Sequence, residues 1–289
     1  MKSMDAISRR GVLKMGLIGS AAAAAAALPA AAHAAQAAPA AGDPFKGLKV
    51  GIASYSLRKF NLDQAIAMTK EAGVKYICLK DMHLPLKSTT AERKAARKKI
   101  DDAGLVLMGC GVVTLPNKED TIKEVFEYAK DAGMPTIVCS PEPEALDTIE
   151  KMAKQYDIRI AIHNHGPGDK KYPLPADVLK MVKDRDPRMG LCMDVGHTAR
   201  MGVDPVAALK ECLPRLLDFH MKDVTAATAK GGPVEVGKGI IDIKAVLKTL
   251  LDVKFAHHVA LEYEANADAP MPGIIGSFEF IRKTLATLA

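Results

Sequence analysis

The sequence of 289 residues contains no tryptophan, and aromatic residues make up only 4% of it. It therefore lacks the basic surface interleaved with aromatic side chains that is typical of nucleic-acid binding. The one basic run, residues 93–99, lies in a helix-like segment with acidic neighbours, which indicates a solvated helix face. We expect no nucleic-acid partner.

Cysteine is also scarce. The five cysteines are an odd number and include no C-x-x-C pair, which argues against a disulfide framework and against a cysteine zinc cluster. Four of the five lie inside apolar, strand-like runs. We expect these thiols to be free and buried.

Beyond the first 34 residues there is no long apolar run, so we expect no stable membrane span in the mature protein. The N-terminal segment itself has the order of an export signal. Ser8–Arg10 begins a twin-arginine signature, an alanine-rich stretch follows, and Ala32–Ala34 fits a small-x-small cleavage site. We predict a signal peptide over residues 1–34, a linker over residues 35–46 and a periplasmic or otherwise exported protein. An uncleaved anchor is the alternative.

A glycine-rich phosphate loop is missing too. Gly51–Leu57, after the first strand candidate, has no G-x-G-x-x-G, and Gly109–Gly111 lacks a third glycine. This argues against an open, doubly wound nucleotide-binding sheet.

What the chain does contain is a regular alternation of apolar, strand-like runs with amphipathic, helix-like runs. Eight such pairs fit into the mature chain. This alternation predicts a parallel sheet with crossover helices, and about 250 residues is the usual size of a closed eight-stranded barrel. We therefore predict a single-domain α/β protein over residues 47–289, a (β/α)8 TIM barrel.

Polar clusters directly follow four of the later strand candidates: His163–His165, Asp194–His197, His220–Asp223 and Glu262–Glu264. The carboxyl ends of parallel strands meet at one mouth of a barrel, so we expect these side chains to converge there. Histidine nitrogens together with carboxylate oxygens suit one divalent metal ion. This mixed set does not distinguish manganese, zinc, magnesium or cobalt.

Four motifs occur in a fixed order: D-x-G-H at Asp194–His197, H-x-K-D at His220–Asp223, G-x-G-x-x-D at Gly237–Asp242, and L-E at Leu261–Glu262. Together they resemble the xylose isomerase-like TIM barrels, a superfamily that includes sugar isomerases and epimerases, inosose dehydratases and endonuclease IV. The resemblance spans residues 48–288.

The resemblance implies Asp194, His220 and Glu262 as metal ligands, with Glu262 also in a catalytic role. It implies His197 as a substrate-binding or auxiliary metal residue. Lys222 is expected to contact substrate oxygens.

His163 ends the fifth strand, where epimerases of this superfamily carry a glutamate that binds metal and abstracts a proton. A similar histidine-rich fifth strand occurs in the inosose dehydratase branch. Because an epimerase needs two bases on opposite faces of one carbon, the departure puts that mechanism in question, although His163 or His165 could act as a base. We assign His163 to the metal and to catalysis, and His165 to substrate binding.

Further candidates lie in the first half of the chain. Lys80 follows the second strand, where many relatives carry glutamate, and is interpreted as a catalytic acid or base. A surface lysine paired with Asp81 is the alternative. His83 and Tyr55 are expected to bind substrate.

These observations predict a divalent-metal-dependent sugar isomerase or epimerase working through a metal-stabilised enediolate on a keto-sugar or polyol. The alternative on the same platform is a lyase, dehydratase or hydratase acting on keto-sugars or 3-keto-glycosides. A non-catalytic sugar-binding barrel and an endonuclease IV-like DNA hydrolase are the remaining classes. We expect a small-molecule carbohydrate as the partner, and an oligomer is compatible with the sequence.

Overall fold

The computed structural model describes residues 42–288 of the chain. The predicted signal peptide and most of the predicted linker lie outside these residues. The strands are β1 (Lys49–Ala53), β2 (Tyr76–Leu79), β3 (Val106–Leu115), β4 (Thr136–Pro141), β5 (Arg159–His163), β6 (Met189–Asp194), β7 (Leu216–Met221), β8 (Asp223–Val224), β9 (Pro233–Val234) and β10 (His258–Leu261).

Eight of these strands close into one barrel, in the spatial order β1-β10-β7-β6-β5-β4-β3-β2. All neighbours are parallel, and β1 pairs with both β2 and β10, so the first and last strands form the seam. Strands β8 and β9 form a separate short antiparallel pair. The predicted (β/α)8 barrel is confirmed.

Helices connect the strands and cover the outside of the barrel. They are α1 (Leu62–Glu71), α2 (Thr90–Asp102), α3 (Glu119–Asp131), α4 (Leu146–Tyr156), α5 (Pro175–Val182), α6 (Val195–Arg200), α7 (Pro205–Cys212), α8 (Ile243–Asp252) and α9 (Met271–Ala286). Capping boxes begin α1 and α2, at Asn61 with Gln64 and at Thr89 with Glu92. These caps satisfy backbone donors that the first helical turn leaves free, which fixes where each helix begins.

The interior of the barrel changes from mainly apolar side chains to polar side chains toward the carboxyl ends of the strands. A small buried cluster inside the barrel consists of Cys78, Val138, Ala161, Cys192 and Leu217. We call this cluster the barrel floor. Polar residues on the same strands lie above it, toward the carboxyl ends. All five cysteines of the chain fall within the described residues and are free and buried, as predicted.

The packed domain starts slightly before the predicted boundary at residue 47. Phe45 is buried, and the guanidinium of Arg282 on α9 lies 5.3 Å from its ring centroid. The side chain of Lys46 donates a hydrogen bond to the carbonyl of Leu288. Within residues 42–288, no helix has both the length and the apolar character needed to cross a membrane.

Candidate metal and substrate site

Four side chains from four neighbouring strands converge at the carboxyl ends of the barrel. His163 ends β5, Asp194 ends β6, His220 lies on β7 and Glu262 directly follows β10. One nitrogen or oxygen of each lies within 4.8 Å of the others, and all four residues are buried. We call this group the ligand cluster. The structure thus brings together all four residues that the sequence predicted as metal ligands.

Short contacts connect the members of the ligand cluster. His163 Nε2 lies 3.1 Å from His220 Nδ1 and 3.5 Å from Asp194 Oδ2. His220 Nδ1 lies 3.2 Å from Glu262 Oε2. The pairing of β6 with β7 sets Asp194 directly beside His220, so strand register, rather than loop conformation, places these groups.

Asn164 holds the backbone of Asp194. Its Oδ1 accepts a hydrogen bond of 2.9 Å from the Asp194 N–H, and its Nδ2 donates to the Asp194 carbonyl and to Thr198 Oγ1. The Asp194 carboxylate also caps α6, because its Oδ1 accepts the N–H of His197 at 2.7 Å. Asn164 was not among the predicted site residues, although it lies between the two histidines of the fifth-strand cluster.

Lys222 lies within a group of carboxylates beside the ligand cluster. Its Nζ is 2.8 Å from Glu262 Oε2, 3.1 Å from Asp194 Oδ2 and 3.0 Å from Glu264 Oε2. The ammonium is also 3.4 Å from His197 Nε2. Three carboxylates against one ammonium leave two formal negative charges, which is the charge that a divalent cation balances.

The donors of the ligand cluster fit such a cation. Two imidazole nitrogens and two carboxylate oxygens form a mixed set that can hold one divalent cation without distinguishing manganese, zinc, magnesium and cobalt. Asp194 Oδ2 is buried and accepts no hydrogen bond of good geometry, although Lys222 lies close to it. An under-satisfied buried carboxylate oxygen among other donors is the expected condition of a metal ligand.

The electrostatics keep three members of the ligand cluster in the protonation states that metal binding requires. The fourth, His220, is the exception: burial disfavours its charged form, but the Glu262 carboxylate outweighs burial and raises the pKa of its imidazole. Burial opposes ionisation of Asp194, but Lys222 and His197 beside it hold the pKa of that carboxyl well below its usual range. Glu262 is likewise opposed by burial, and Lys222 and His220 lower its pKa well below the usual range. Burial lowers the pKa of His163 to about 3, so its imidazole is neutral at physiological pH. Ionised carboxylates and a neutral imidazole are the forms that coordinate cations.

A cavity of about 450 Å³ opens above the ligand cluster, which is within the usual size range of small-molecule sites. Seven of the predicted site residues line it: Tyr55, Lys80, His163, His165, His197, Lys222 and Glu262. Five lining residues were not predicted: Val112, Thr114, Ser140, Asp169 and Glu264.

The two halves of the cavity wall differ in their polar groups: a lysine lies on the β2 side and a histidine on the β5 side. On the β2 side, Lys80 Nζ donates to the Val112 carbonyl at 2.9 Å and pairs with Asp81 at 2.9 Å. On the β5 side, His165 Nδ1 lies 3.3 Å from the carboxylate of Asp169. The imidazole of His165 is partly exposed, whereas that of His163 is enclosed within the ligand cluster.

His83 does not line the cavity. Its Nδ1 lies 2.9 Å from Ser54 Oγ and its Nε2 3.2 Å from the Leu57 carbonyl, and the side chain is buried. The same Ser54 hydroxyl accepts the backbone N–H of Lys80 at 2.7 Å. His83 therefore supports the end of β2 from behind, and the structure does not bring it to the other predicted substrate-binding residues.

A closed barrel of eight parallel strands, with two histidines and two carboxylates at their carboxyl ends, defines a TIM-barrel protein with a candidate divalent-metal centre. The sequence profile of the xylose isomerase-like TIM barrel family matches residues 66–284. The chain belongs to that family.

Individual relatives fit this assignment. An inosose dehydratase of Klebsiella pneumoniae is 27% identical over 159 residues, which cover 48% of this chain and 50% of the relative. The chain thus spans half the length of that curated relative. The structure of an uncharacterised protein from Parabacteroides distasonis is 27% identical and superposes with a TM-score of 0.64 over 82% of this chain and 98% of the other. A 3-keto-D-glucoside 4-epimerase from E. coli shares the fold, with a TM-score of 0.67 at 16% identity over 82% of this chain and 99% of the other.

Proposed function

We propose that this protein is a metal-dependent lyase that removes water from an uncharged keto-sugar or keto-polyol. The observation that carries the proposal is the separation of proton acceptors from a proton donor across one cavity. Imidazoles and carboxylates lie on the half formed by β5, β6, β7 and β10, where three carboxylates engage the ammonium of Lys222. The ammonium of Lys80 lies on the β2 side.

His165 is the base in this proposal. It lines the cavity, and the Asp169 carboxylate lies 3.3 Å from its Nδ1, although the two make no hydrogen bond of good geometry. His163 is less suited to take a substrate proton, because its Nε2 already contacts His220 and Asp194. An imidazole that faces the cavity with a carboxylate close to its other nitrogen has the groups that proton abstraction uses.

Lys80 is the acid. The Val112 carbonyl and the Asp81 carboxylate hold its ammonium beside the cavity. His165 takes the proton from the carbon next to the substrate carbonyl, and the electron pair forms a carbon–carbon double bond. The bond from the neighbouring carbon to its hydroxyl breaks, Lys80 donates a proton to that hydroxyl, and water leaves. Exchange with solvent then restores both side chains.

Epimerisation at one carbon requires a second base on the opposite face of that carbon. Among the described residues that line the β1–β4 half of the cavity, the polar side chains are Tyr55, Lys80, Thr114 and Ser140. None of them is a carboxylate or an imidazole, and the Asp81 carboxylate is paired with Lys80. One acid and one base match an elimination better than a two-base epimerisation.

The ligand cluster has a supporting role in this reaction. A divalent cation held by His163, Asp194, His220 and Glu262 would polarise the substrate carbonyl and so acidify the adjacent carbon. Asn164 fixes the direction of Asp194. Lys222 favours the ionised form of Glu262 and lies 3.0 Å from Glu264 Oε2.

The charges of the cavity indicate an uncharged substrate. Both lysines that line it are engaged, Lys222 with three carboxylates and Lys80 with Asp81. Among the described residues, no arginine lines the cavity. A phosphate or carboxylate group on the substrate would normally be met by an arginine fork or an unpaired lysine.

The test is to incubate the manganese-loaded protein with a panel of keto-sugars, keto-cyclitols and 3-keto-glycosides. Product mass and proton NMR are then recorded. We expect at least one neutral keto-substrate to lose a water molecule. Conversion at constant mass would instead support the isomerase or epimerase predicted from the sequence, and would contradict the elimination.

Two variants test the assigned roles. His165→Asn and Lys80→Met should each lower turnover by about 100-fold or more, because each removes one partner of the acid–base pair. His83→Asn is the matched control, since His83 lies behind the cavity wall, and it should retain most of the activity if the protein remains folded. Equal losses in all three variants, with unchanged folding by circular dichroism, would argue against the assignment.

A further inference from the structure

Directly below the ligand cluster lies a thiol that the proposed reaction does not use. Cys192 lies on β6, two residues before Asp194, so both side chains face the barrel interior. Its sulfur lies within 4.8 Å of one ring nitrogen of His163 and one of His220. The residue is fully buried, and its thiol is 3.6 Å from the carboxylate of Asp218.

His163 and His220 therefore belong to two overlapping donor sets. The upper set adds the oxygens of Asp194 and Glu262, and the lower set adds the sulfur of Cys192. The upper set of two nitrogens and two oxygens accepts several divalent cations, whereas a thiolate with two imidazoles favours soft or borderline cations such as zinc or copper(I). His163 also has a buried ring nitrogen, Nδ1, without a hydrogen-bond partner.

We propose that His163, Cys192 and His220 form a second, deeper cation position, selective for thiophilic metals such as Zn²⁺, Cd²⁺ or Cu⁺. Because the two positions share both imidazoles, they cannot be filled together. A thiophilic cation moves toward the barrel floor and displaces the cation of the upper position. The proposal depends on the geometry of the ligand cluster and not on the reaction assigned above.

The surroundings of Cys192 suit such a position. The barrel floor places Cys78, Val138, Ala161 and Leu217 in one buried cluster with Cys192, which keeps competing water away from the sulfur. The thiol proton is released to solvent as the metal–sulfur bond forms, because a coordinating thiol binds as the thiolate. The sulfur undergoes no oxidation or reduction.

The experiment adds Cd²⁺ to the purified full-length protein and records the ultraviolet charge-transfer absorption of a cadmium–thiolate bond. Variants Cys192→Ser and Cys192→Ala are compared with Cys212→Ser, because Cys212 is a buried cysteine at the end of α7, outside both donor sets. Circular dichroism confirms folding. In parallel, electron paramagnetic resonance of Mn²⁺ reports occupancy of the upper position.

We expect the wild type and Cys212→Ser to show the thiolate band at one equivalent of Cd²⁺, and to release bound Mn²⁺ as it develops. Both Cys192 variants should lack the band, bind Cd²⁺ at least ~10-fold more weakly, and retain Mn²⁺ binding. Absence of the band in the wild type, or its persistence in a folded Cys192 variant, overturns the proposal. If Mn²⁺ fails to bind while the cadmium band is present, the upper site and the proposed function fail, but the deeper position stands.

Discussion

The side-chain oxygen of Asn164 accepts a hydrogen bond of 2.9 Å from the backbone N–H of Asp194, and its nitrogen donates to the carbonyl of the same residue. One amide group thus holds both polar backbone groups at the end of β6. The direction of the Asp194 carboxylate consequently depends on a neighbour outside the ligand cluster.

Asn164→Ala should weaken Mn²⁺ binding by about 10- to 100-fold, the usual cost of losing a group that orients a metal ligand. Isothermal titration calorimetry measures the change. Thr198→Val is the comparison variant. It removes one partner of Asn164 and the hydrogen bond of 2.7 Å from the Thr198 hydroxyl to the Asp194 carbonyl, but it leaves both contacts of Asn164 to Asp194, so its effect should be smaller. Affinity within twofold of the wild type in Asn164→Ala would show that Asp194 is held by other means.

Asp194→Asn and Glu262→Gln should each abolish retention of a divalent metal through purification, because each replaces an ionised ligand with a neutral amide. Metal content is measured by elemental mass spectrometry after loading with Mn²⁺. Asp252→Asn is the control, since that carboxylate pairs with Lys248 on the exposed surface of α8. Unchanged metal content in both ligand variants would remove them from the assigned set.

Lys222→Met should destabilise the metal-free protein by about 3–5 kcal/mol, because it leaves Asp194, Glu262 and Glu264 close together without their cation. Added Mn²⁺ should restore part of the loss by supplying positive charge nearby. Urea denaturation with and without a chelator measures both effects. Lys248→Met, which removes only a surface pair, should change stability by less than about 1 kcal/mol. A Lys222 variant as stable as this control would contradict the prediction.

His258 should make the protein sensitive to mild acid. Both of its ring nitrogens are buried without hydrogen-bond partners, and burial, with smaller effects of His220 and Lys49, lowers its pKa to about 3. The unfolded chain takes up this proton at about pH 6.5, so the free energy of unfolding falls as the pH drops below that value. The slope from this residue is up to about 1.4 kcal/mol per pH unit.

Urea denaturation between about pH 7 and about pH 5 measures this dependence. His258→Leu should show a shallower decline than the wild type, whereas a control variant of the adjacent residue, His257→Asn, should keep the wild-type slope. Parallel declines in wild type and His258→Leu would mean that other buried histidines account for the acid sensitivity.

Much of the fold could be predicted from the sequence because each strand and helix has a strong local signal. The fifth strand is an example: the polar cluster that begins at His163 was predicted to mark its carboxyl end, and β5 ends at His163. The convergence of His163, Asp194, His220 and Glu262 was also predictable, because parallel strands present their carboxyl ends at one mouth.

The sequence pattern of Val195–Arg200 did not reveal the secondary structure of this segment. It contains Gly196, which is unfavourable inside a helix, yet it forms α6, which begins at the Asp194 cap. Gly196 lies so close to the side chain of Lys222 that a Cβ atom at residue 196 would clash with it. Because Lys222 follows a different strand, the sequence around Gly196 does not reveal this contact.

The other differences between the predicted site and the structure come from contacts that local sequence does not show. Glu264 joins the site through Lys222, which is 42 residues away in sequence, and only the pairing of β7 with β10 brings them together. His83 lies at the correct end of β2, but Ser54 and Leu57 hold it behind the wall. Sequence spacing indicates which end of a strand a residue occupies, but not which neighbour engages it.

The seam between β1 and β10 joins the parts of the domain that lie furthest apart along the chain. A polypeptide that stops before His258 would leave β1 and β7 as open sheet edges, each able to pair with another molecule. Closure of the ring therefore depends on the last strand, and truncation before His258 should cause aggregation rather than a smaller soluble domain.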